Sequence, residues 1–335
     1  MKLRGVISGF GEVASRGHLA GWLARPDVSI VAVHDPVHER RELAMRMLKN
    51  ARVYHDLDLM LQGESPDFVD IASPPLFHPQ AIRSALEAGA HVLCEKPMCL
   101  QRGDLESVKR LAADKSRVVM CVHNWKFAPA FAAAKRAIDL GRIGAVRMIN
   151  ADRIRTQPAG GPGQWRSRRE NGGGILVDHG WHIFYLAQWT LGGDAPARVS
   201  ANLEAPTGID EIADLRVVFS SGGVLRSYLT WRAPVRRTVT TIYGDGGVIE
   251  INENRVVLTA RSGEREELPV EDAPDDSYHP TWFAGMAEQF ESALAAGCCS
   301  DAPVRNLAEA SYALAIIDAA RKSSDSDGIS VAIDR

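Results

Sequence analysis

Apolar residues along this chain follow two rhythms. In the first third, short runs rich in valine and isoleucine ("LRGVIS", "VSIVAVHD", "DFVDIAS", "AHVLCEK" and "SRVVMCV") are bounded by turn or polar residues and read as strands. The segments between them carry apolar residues at helical spacing, as with Leu19, Trp22 and Leu23, or Ile82 and Leu86 up to a stop at Gly89. Strands alternating with helices predict βαβ units around a buried parallel sheet. After Arg142 the rhythm changes. The runs "AVRMINADRI", "ARVSANLE", "ADLRVVFS", "VLRSYLTW", "TVTTIYG", "GVIEIN" and "RVVLTA" are joined by short turns, Ser221-Gly222-Gly223 and Gly244-Asp245-Gly246-Gly247 among them. That is the pattern of an antiparallel meander. Two helices close the chain, one near Trp282 to Ala296 and one with Leu307, Leu314 and Ile317 on one face.

A chain of 335 residues is the right length for two domains of roughly 150 residues each. With 45% apolar and 24% charged residues it is an ordinary globular composition, and a net charge of −3 offers no basic surface for nucleic acid. No apolar run approaches the roughly 18 residues of a membrane-spanning helix. The start, "MKLRGVISGFG", enters a strand and a glycine turn without the apolar core of a signal peptide, so a cytoplasmic protein is expected. The five cysteines, Cys94, Cys99, Cys121, Cys298 and Cys299, lack C-x-x-C spacing and read as reduced thiols.

The first turn, Gly9-Phe10-Gly11-Glu12-Val13-Ala14, is the G-x-G-x-x-A form of the dinucleotide fingerprint. Gly9 allows the tight turn, Gly11 lets backbone amides approach a pyrophosphate, and Ala14 lets helix and strand pack closely. The helix start after Glu12 and Val13 offers N–H groups and a positive dipole end to phosphate. Alone the motif is weak, and a tight βα turn with an incidental acid is the plain alternative. Its context, after a strand, before a helix, and with Asp35 closing the second run, favours a dinucleotide. Asp35 accepts ribose hydroxyls and repels a 2′-phosphate, which favours NAD, while Arg40 and Arg41 lie near enough in sequence to admit NADP. Ligands of such sheets lie beyond the carboxyl ends of the strands. Ser73-Pro74-Pro75 closes one run there, with His78 at the next helix start near the nicotinamide, and Glu95-Lys96-Pro97 closes another. A Glu-Lys pair can be a surface ion pair of little worth, but at a cleft mouth it points to a functional lysine.

Behind three glycines, "GGGILVDHGWH" sets Asp178 four residues before His182, on one face if a helix begins there. Oxidation of a carbinol needs a base of near-neutral pKa for the hydroxyl proton, and a histidine supplies it. Asp178 then orients the ring or binds a neighbouring hydroxyl. Asp178, His179 and His182 are also metal-ligand types, though no further cluster at metal spacing accompanies them, so no metal is expected. A buried, satisfied histidine is the bland reading. Beside Lys96 and the glycine turn, proton transfer is favoured. Arg166, Arg168 and Arg169 read either as a clamp for a substrate carboxylate or phosphate, or as a solvated loop. Trp125, Trp165 and Trp181 read either as a sugar-stacking wall or as core.

The stretches "GFGEVA", "VHDP", "ASPPLFHPQAIRSALEAGAHVLCEKPM" and "GGGILVDHGWHI" resemble the glucose–fructose oxidoreductase, inositol dehydrogenase and rhizopine-catabolism (Gfo/Idh/MocA) family, over essentially the whole chain. The resemblance implies an N-terminal Rossmann domain, residues 1–122. It also implies a C-terminal α/β domain, residues 123–335, with a large, mostly antiparallel sheet and a late helix that packs back on the first domain. It implies an NAD(P)-dependent oxidoreductase acting on a secondary alcohol or ketone of a sugar, inositol or other polyhydroxylated molecule. By position Lys96, Asp178 and His182 correspond to the family's catalytic residues. Asn124, Lys126, Trp165, Arg166 and His179 join them around the substrate. Gly9, Phe10, Gly11, Glu12, Val13, Asp35, Arg40, Ser73, Pro74, Pro75, His78 and Glu95 join Lys96 around the cofactor. Two positions depart from the family pattern: Lys126 stands where an arginine is common, and Tyr185 where another acid is common. A homodimer or homotetramer through the C-terminal sheet is implied as well. A regulator that binds nicotinamide without turnover, and an enzyme that uses tightly bound NAD for elimination or hydrolysis, are the alternatives.

Overall fold

Six parallel strands make the first sheet: β1 (Leu3–Ser8), β2 (Val28–His34), β3 (Arg52–Tyr54), β4 (Phe68–Ile71), β5 (His91–Cys94) and β6 (Val119–Cys121), in the order β3-β2-β1-β4-β5-β6. The computed structural model describes residues 2–159, 165–270 and 278–334, and these divide into two units. All five strand-like runs of the first third become strands. The added strand, β3, is too short and too polar in its surroundings to show a pattern. The helices α1 (Leu19–Leu23), α2 (His38–Met47), α3 (Leu57–Glu64), α4 (His78–Glu87) and α5 (Arg102–Asp114) connect them. The order reverses direction between β1 and β4, the switch point at which parallel α/β sheets bind ligands.

The first helix departs from expectation. A π-helical turn, Val13–His18, precedes α1. At about 100° per residue, one extra residue in a turn rotates everything after it. Within α1, Leu19 and Trp22 face the core, while Leu23 is 64% exposed.

The second unit takes the described residues of 128–270 and 309–334. It contains α6 (Pro129–Asp139), β7 (Val146–Ile154), α7 (Trp181–Thr190), β8 (Pro196–Glu204), β9 (Ile212–Phe219), β10 (Val224–Thr230), β11 (Arg237–Gly244), β12 (Gly247–Asn252), β13 (Arg255–Ala260) and β14 (Arg265–Leu268). The chain then returns to the first unit in α8 (Pro280–Ala296); α9 (Asp301–Ser324) and β15 (Val331–Ala332) follow. The nine-stranded sheet runs β14-β13-β12-β11-β7-β10-β9-β8-β15. It is not the simple meander that the turns suggested. β7 lies between β10 and β11, parallel to the first and antiparallel to the second. Period-2 alternation marks a strand and its buried face, but it does not name the neighbour.

The first unit's core includes residues far apart in sequence. Trp22 lies 4.7 Å from Phe68 and 5.5 and 6.4 Å from Phe283 and Phe290, ring centre to ring centre, the last two contributed by α8. Those offset and edge contacts are the favoured aromatic geometries. The five cysteines are free thiols, and burial raises the pKa of Cys94 and Cys121 well above the ordinary thiol value, so neither is reactive. Among the described residues no helix is long and apolar enough to cross a membrane.

Candidate active site

Within the first unit, the turn after β1 forms a cradle. Gly9 has φ +90°, and a Cβ there would stand 2.6 Å from the Ser73 amide nitrogen, so only glycine fits. A Cβ on Gly11 would meet nothing within 4 Å, which leaves an open face over the backbone. Asp35, at the end of β2, accepts the Phe10 N–H at 2.7 Å and the Val37 N–H at 2.9 Å, so its carboxylate is fixed at the rim of the turn. Arg40 sits 3.3 Å from Glu12, and Arg41 donates to the Asp35 and Pro36 carbonyls at 2.8 Å each. An open glycine turn at the switch point and a fixed acid on the next strand fit the pyrophosphate and ribose of a dinucleotide.

Ser73, Pro74 and Pro75 follow β4, and Glu95 and Lys96 follow β5, at the same carboxyl edge. His78 is fully buried. Its Nδ1 lies 2.9 Å from the Pro97 carbonyl oxygen and its Nε2 2.7 Å from that of Ser73. It thus ties two loops together, and burial lowers its pKa. Asn124 and Lys126 lie in a short 3-10 turn, Asn124–Phe127, just after β6 and within the first unit.

The cluster behind Glu95 was not legible from residue patterns. His18, 2% exposed, has Nδ1 3.0 Å from Asp70 Oδ2 and Nε2 3.1 Å from Glu95 Oε1. Asp70 also accepts the Trp22 indole N–H at 2.7 Å, and Glu95 Oε2 accepts the Lys96 amide at 2.9 Å. Burial opposes a charge on His18, but the two carboxylates outweigh it and raise its pKa from 6.5 to about 9. Glu95 moves the opposite way: burial pushes it up, and the His18 imidazolium more than offsets that, so its pKa falls.

The linkage has a definite sign. A histidine whose pKa is raised by folding contributes stability that is complete below its unfolded value and is lost as pH climbs towards its folded one. Between pH 6.5 and 8, below the ordinary thiol value of about 8.5, His18 is expected to account for a loss of about 2 kcal/mol of unfolding free energy, against a smaller opposite change from His34, His78 and His91, whose pKa values burial lowers. Urea denaturation of the parent and of His18→Gln at a series of pH values isolates this, and identical pH slopes for the two over that window would remove the charged His18.

In the second unit, the three glycines lead into a π-helical turn, Leu176–Gly180, and only then into α7. The single α-helical face expected for Asp178 and His182 is therefore replaced by a wide turn followed by an α turn. Gly174 has φ +118°, and a Cβ there would lie 2.3 Å from Asp210 Oδ1. Asp210 Oδ2 accepts the Leu176 N–H at 2.7 Å, capping the start of the turn. Burial raises the pKa of Asp210 against that hydrogen bond. Asp178 is buried and accepts Arg166 Nε–H at 3.1 Å; Arg166 in turn lies over the Trp165 ring, 4.5 Å from its centre. His179 Nε2 is 3.8 Å from the other Asp178 oxygen. His182, 7% exposed, has Nδ1 3.0 Å from the Tyr185 hydroxyl.

Tyr185 stood out in the sequence only as a missing acid, and two arginines on or beside β7 went unnoticed. Arg153 is fully buried, with Nη1 on the Asp152 carbonyl at 2.9 Å; Arg155 Nη1 donates to the Ile154 and Arg237 carbonyls. Burial, then Arg155, lowers the pKa of Arg153 to about 9, while burial and Arg236, opposed by Asp178, lower that of Arg155 to about 10. The signal was present: Arg153 occupies the same phase of β7 as the buried Ile149 and Ala151. An arginine in an apolar phase marks a site or a strain. Trp181 is fully buried and belongs to the core, and Trp125 is half-buried, edge-on to Trp282 at 5.9 Å. Among the described residues no group of three or more His, Cys, Asp or Glu could hold a metal.

A switch-point glycine cradle with an acid just after β2, followed in the chain by a mostly antiparallel unit with a buried Asp–His turn, defines a two-unit protein with a dinucleotide-binding type of fold. Residues 3–123 match the oxidoreductase family with an NAD-binding Rossmann fold, and residues 131–250 match the GFO/IDH/MocA C-terminal domain. The chain belongs to the Gfo/Idh/MocA family. It is 30% identical over 200 residues to D-glucoside 3-dehydrogenase of Escherichia coli, spanning 60% of this chain and 57% of that one. Several of the curated relatives it matches are likewise spanned over about half their length, 42% in two cases. Inositol 2-dehydrogenase of Rhizobium meliloti is 27% identical over 336 residues, 96% of this chain and 97% of that one. The solved structure of levoglucosan dehydrogenase with NADH and levoglucosan shares the fold over 100% of both chains, with a TM-score of 0.87 at 22% identity.

Proposed function

We propose that the protein is an NAD-dependent dehydrogenase or ketoreductase acting on a secondary alcohol or ketone of a sugar, an inositol or a related polyhydroxylated molecule. The observation that carries this reading is the buried His182, held through Nδ1 by Tyr185 in the turn that follows the Arg166-paired Asp178. The names of relatives, a glucoside, an inositol and a levoglucosan dehydrogenase, support the substrate class.

Bound nicotinamide supplies the hydride acceptor. His182 takes the hydroxyl proton as the carbinol hydrogen leaves with its electron pair, and Lys96 offsets the negative charge that grows on the oxygen. Asp178, oriented by Arg166, accepts a hydrogen bond from a neighbouring hydroxyl. Asn124, Lys126, Trp165, Arg166 and His179 complete the substrate contacts, the Trp165 ring offering an apolar face to a sugar. NAD is preferred over NADP because Asp35 repels a 2′-phosphate, while Arg40 is engaged by Glu12 and Arg41 by carbonyls. The second unit binds substrate and assembles the protein into a dimer or tetramer through its sheet, in the cytoplasm.

Following nicotinamide absorbance with NAD and then NADP, over a panel of inositols, aldoses, aminosugars and sugar acids, tests the reading. Steady release of NADH with one class of polyol is the expected result. Cofactor binding by calorimetry with no turnover across the panel would sink the dehydrogenase in favour of a regulator or a bound-cofactor enzyme.

A further inference from the structure

We infer that His18 is a positioning residue for Lys96, acting through the Glu95 carboxylate that bridges the two. The inference rests on the proposed role of Lys96. One oxygen of Glu95 faces His18 Nε2 at 3.1 Å while the other accepts the Lys96 amide at 2.9 Å, so the carboxylate has its two oxygens on the two groups being linked. Behind His18 stands Asp70 on the central strand β4, with both oxygens within 3.0 to 3.1 Å of Nδ1 and one of them also fixed by Trp22. The ring is stacked face to face on Phe283 of α8, 3.8 Å between centres at 13°. His18 is therefore held by Asp70 on one edge and Phe283 on one face before it reaches Glu95. The π-helical turn Val13–His18 brings it there, and Gly17 within that turn leaves room for the Tyr278 carbonyl, which a Cβ would approach to 2.8 Å.

A charged buried histidine needs an acceptor on each nitrogen, and any two acceptors would serve. Here two buried acids share it, and the second of them ends on the backbone of the lysine. The ionisable groups facing this arrangement are Asp70 from β4, Glu95 and Lys96 from the segment after β5, and the thiols of Cys94 and Cys121. On the far side of Lys96, the Pro97 carbonyl is held by His78, whose other nitrogen is on Ser73. The peptide unit before Lys96 is thus linked through Glu95 to one buried imidazole, and the Pro97–Met98 unit is bonded to another. A lysine has four rotatable bonds, so its root must be fixed if its ammonium group is to meet one oxygen reproducibly. A displacement of about 1 Å at a reacting group costs on the order of 100-fold.

The experiment is a double-mutant cycle of His18→Gln and Lys96→Met in the full-length protein, with kcat, KM and NADH affinity measured for each. His18→Gln is expected to lower kcat about 10–100-fold with KM and NADH affinity little changed. In the Lys96→Met background it should cost no more than about a factor of 2, because the group it positions is gone. A His18→Gln loss of equal size in both backgrounds overturns the inference and leaves the role of Lys96 standing. An unchanged kcat in Lys96→Met alone overturns that role, and the inference with it. If His18→Gln does not fold, Glu95→Gln cuts the same link while keeping the histidine on Asp70, and the same non-additivity is expected. A cofactor-free readout comes from reductive methylation with 13C-formaldehyde. The dimethyl-lysine NMR signal that disappears in Lys96→Met should shift in the Glu95→Gln protein, and an unmoved signal counts against the link.

Discussion

His182→Ala is expected to lower kcat by about 10²–10⁴-fold, which is about 3–5 kcal/mol of transition-state stabilisation. The direction follows from geometry. For Nε2 to receive a proton, Nδ1 must carry its own hydrogen, and Tyr185 Oη at 3.0 Å is placed to accept it. The tyrosine is fully buried and its ring lies at 69° to the imidazole, 5.7 Å between centres, so the histidine ring is held in one orientation. Removing the ring deletes the proposed proton acceptor and leaves the cofactor cradle alone, since the residues proposed to hold NAD are all in the first unit. NADH affinity should therefore stay within a few-fold. Stopped-flow measurement of hydride transfer, with calorimetry of NADH binding, separates the two. A variant that transfers hydride at the parent rate would exclude His182 from proton transfer.

What the sequence made legible was whatever is local. Strands in the first third follow from runs of valine and isoleucine bounded by turn residues. The cradle follows from glycines whose spacing is tied to one backbone conformation, and Gly9 bears this out with a positive φ and a Ser73 amide against its missing side chain. Two kinds of fact were hidden. The first is irregular helix. Both wide turns, Val13–His18 and Leu176–Gly180, sit at candidate site segments, and helical periodicity assumes a constant turn, so it set Asp178 and His182 on one α-helical face. The second is pairing at long range. Asp70 looks like an interruption in an apolar strand until His18 and Trp22 arrive from 52 and 48 residues away. Asp210 reaches the Leu176 amide across 34 residues, and nothing in its own neighbourhood marks it as a cap. Tyr185 read as a missing acid and proves to be the partner of His182.

Lys96→Met is expected to lower kcat/KM by about 10²–10³-fold, the loss typical when one donor is withdrawn from a developing oxyanion. Methionine keeps most of the length and apolar contact of the lysine stem and removes only the charge, so packing around Pro97 and Met98 should change little. The argument for a large effect lies in how the residue is rooted. Its amide is bonded to Glu95, and the next carbonyl to His78. An ammonium group on a free loop would lose most of its electrostatic value to water and to its own rotamers; on a fixed root the charge is set in place before the reaction begins. Lys96→Arg is the discriminating companion. It keeps the charge but spreads it over a planar fork of different reach, so a charge needed at one point should be restored only in part. If Lys96→Arg recovered the full rate, net positive charge alone would be enough, and the anchoring of Lys96 by Glu95 and His78 would serve the loop's stability and not the reaction. If Lys96→Met itself kept kcat/KM within a few-fold, the oxygen would have to be stabilised by some other donor, and His182 would carry the proton without help from this strand end.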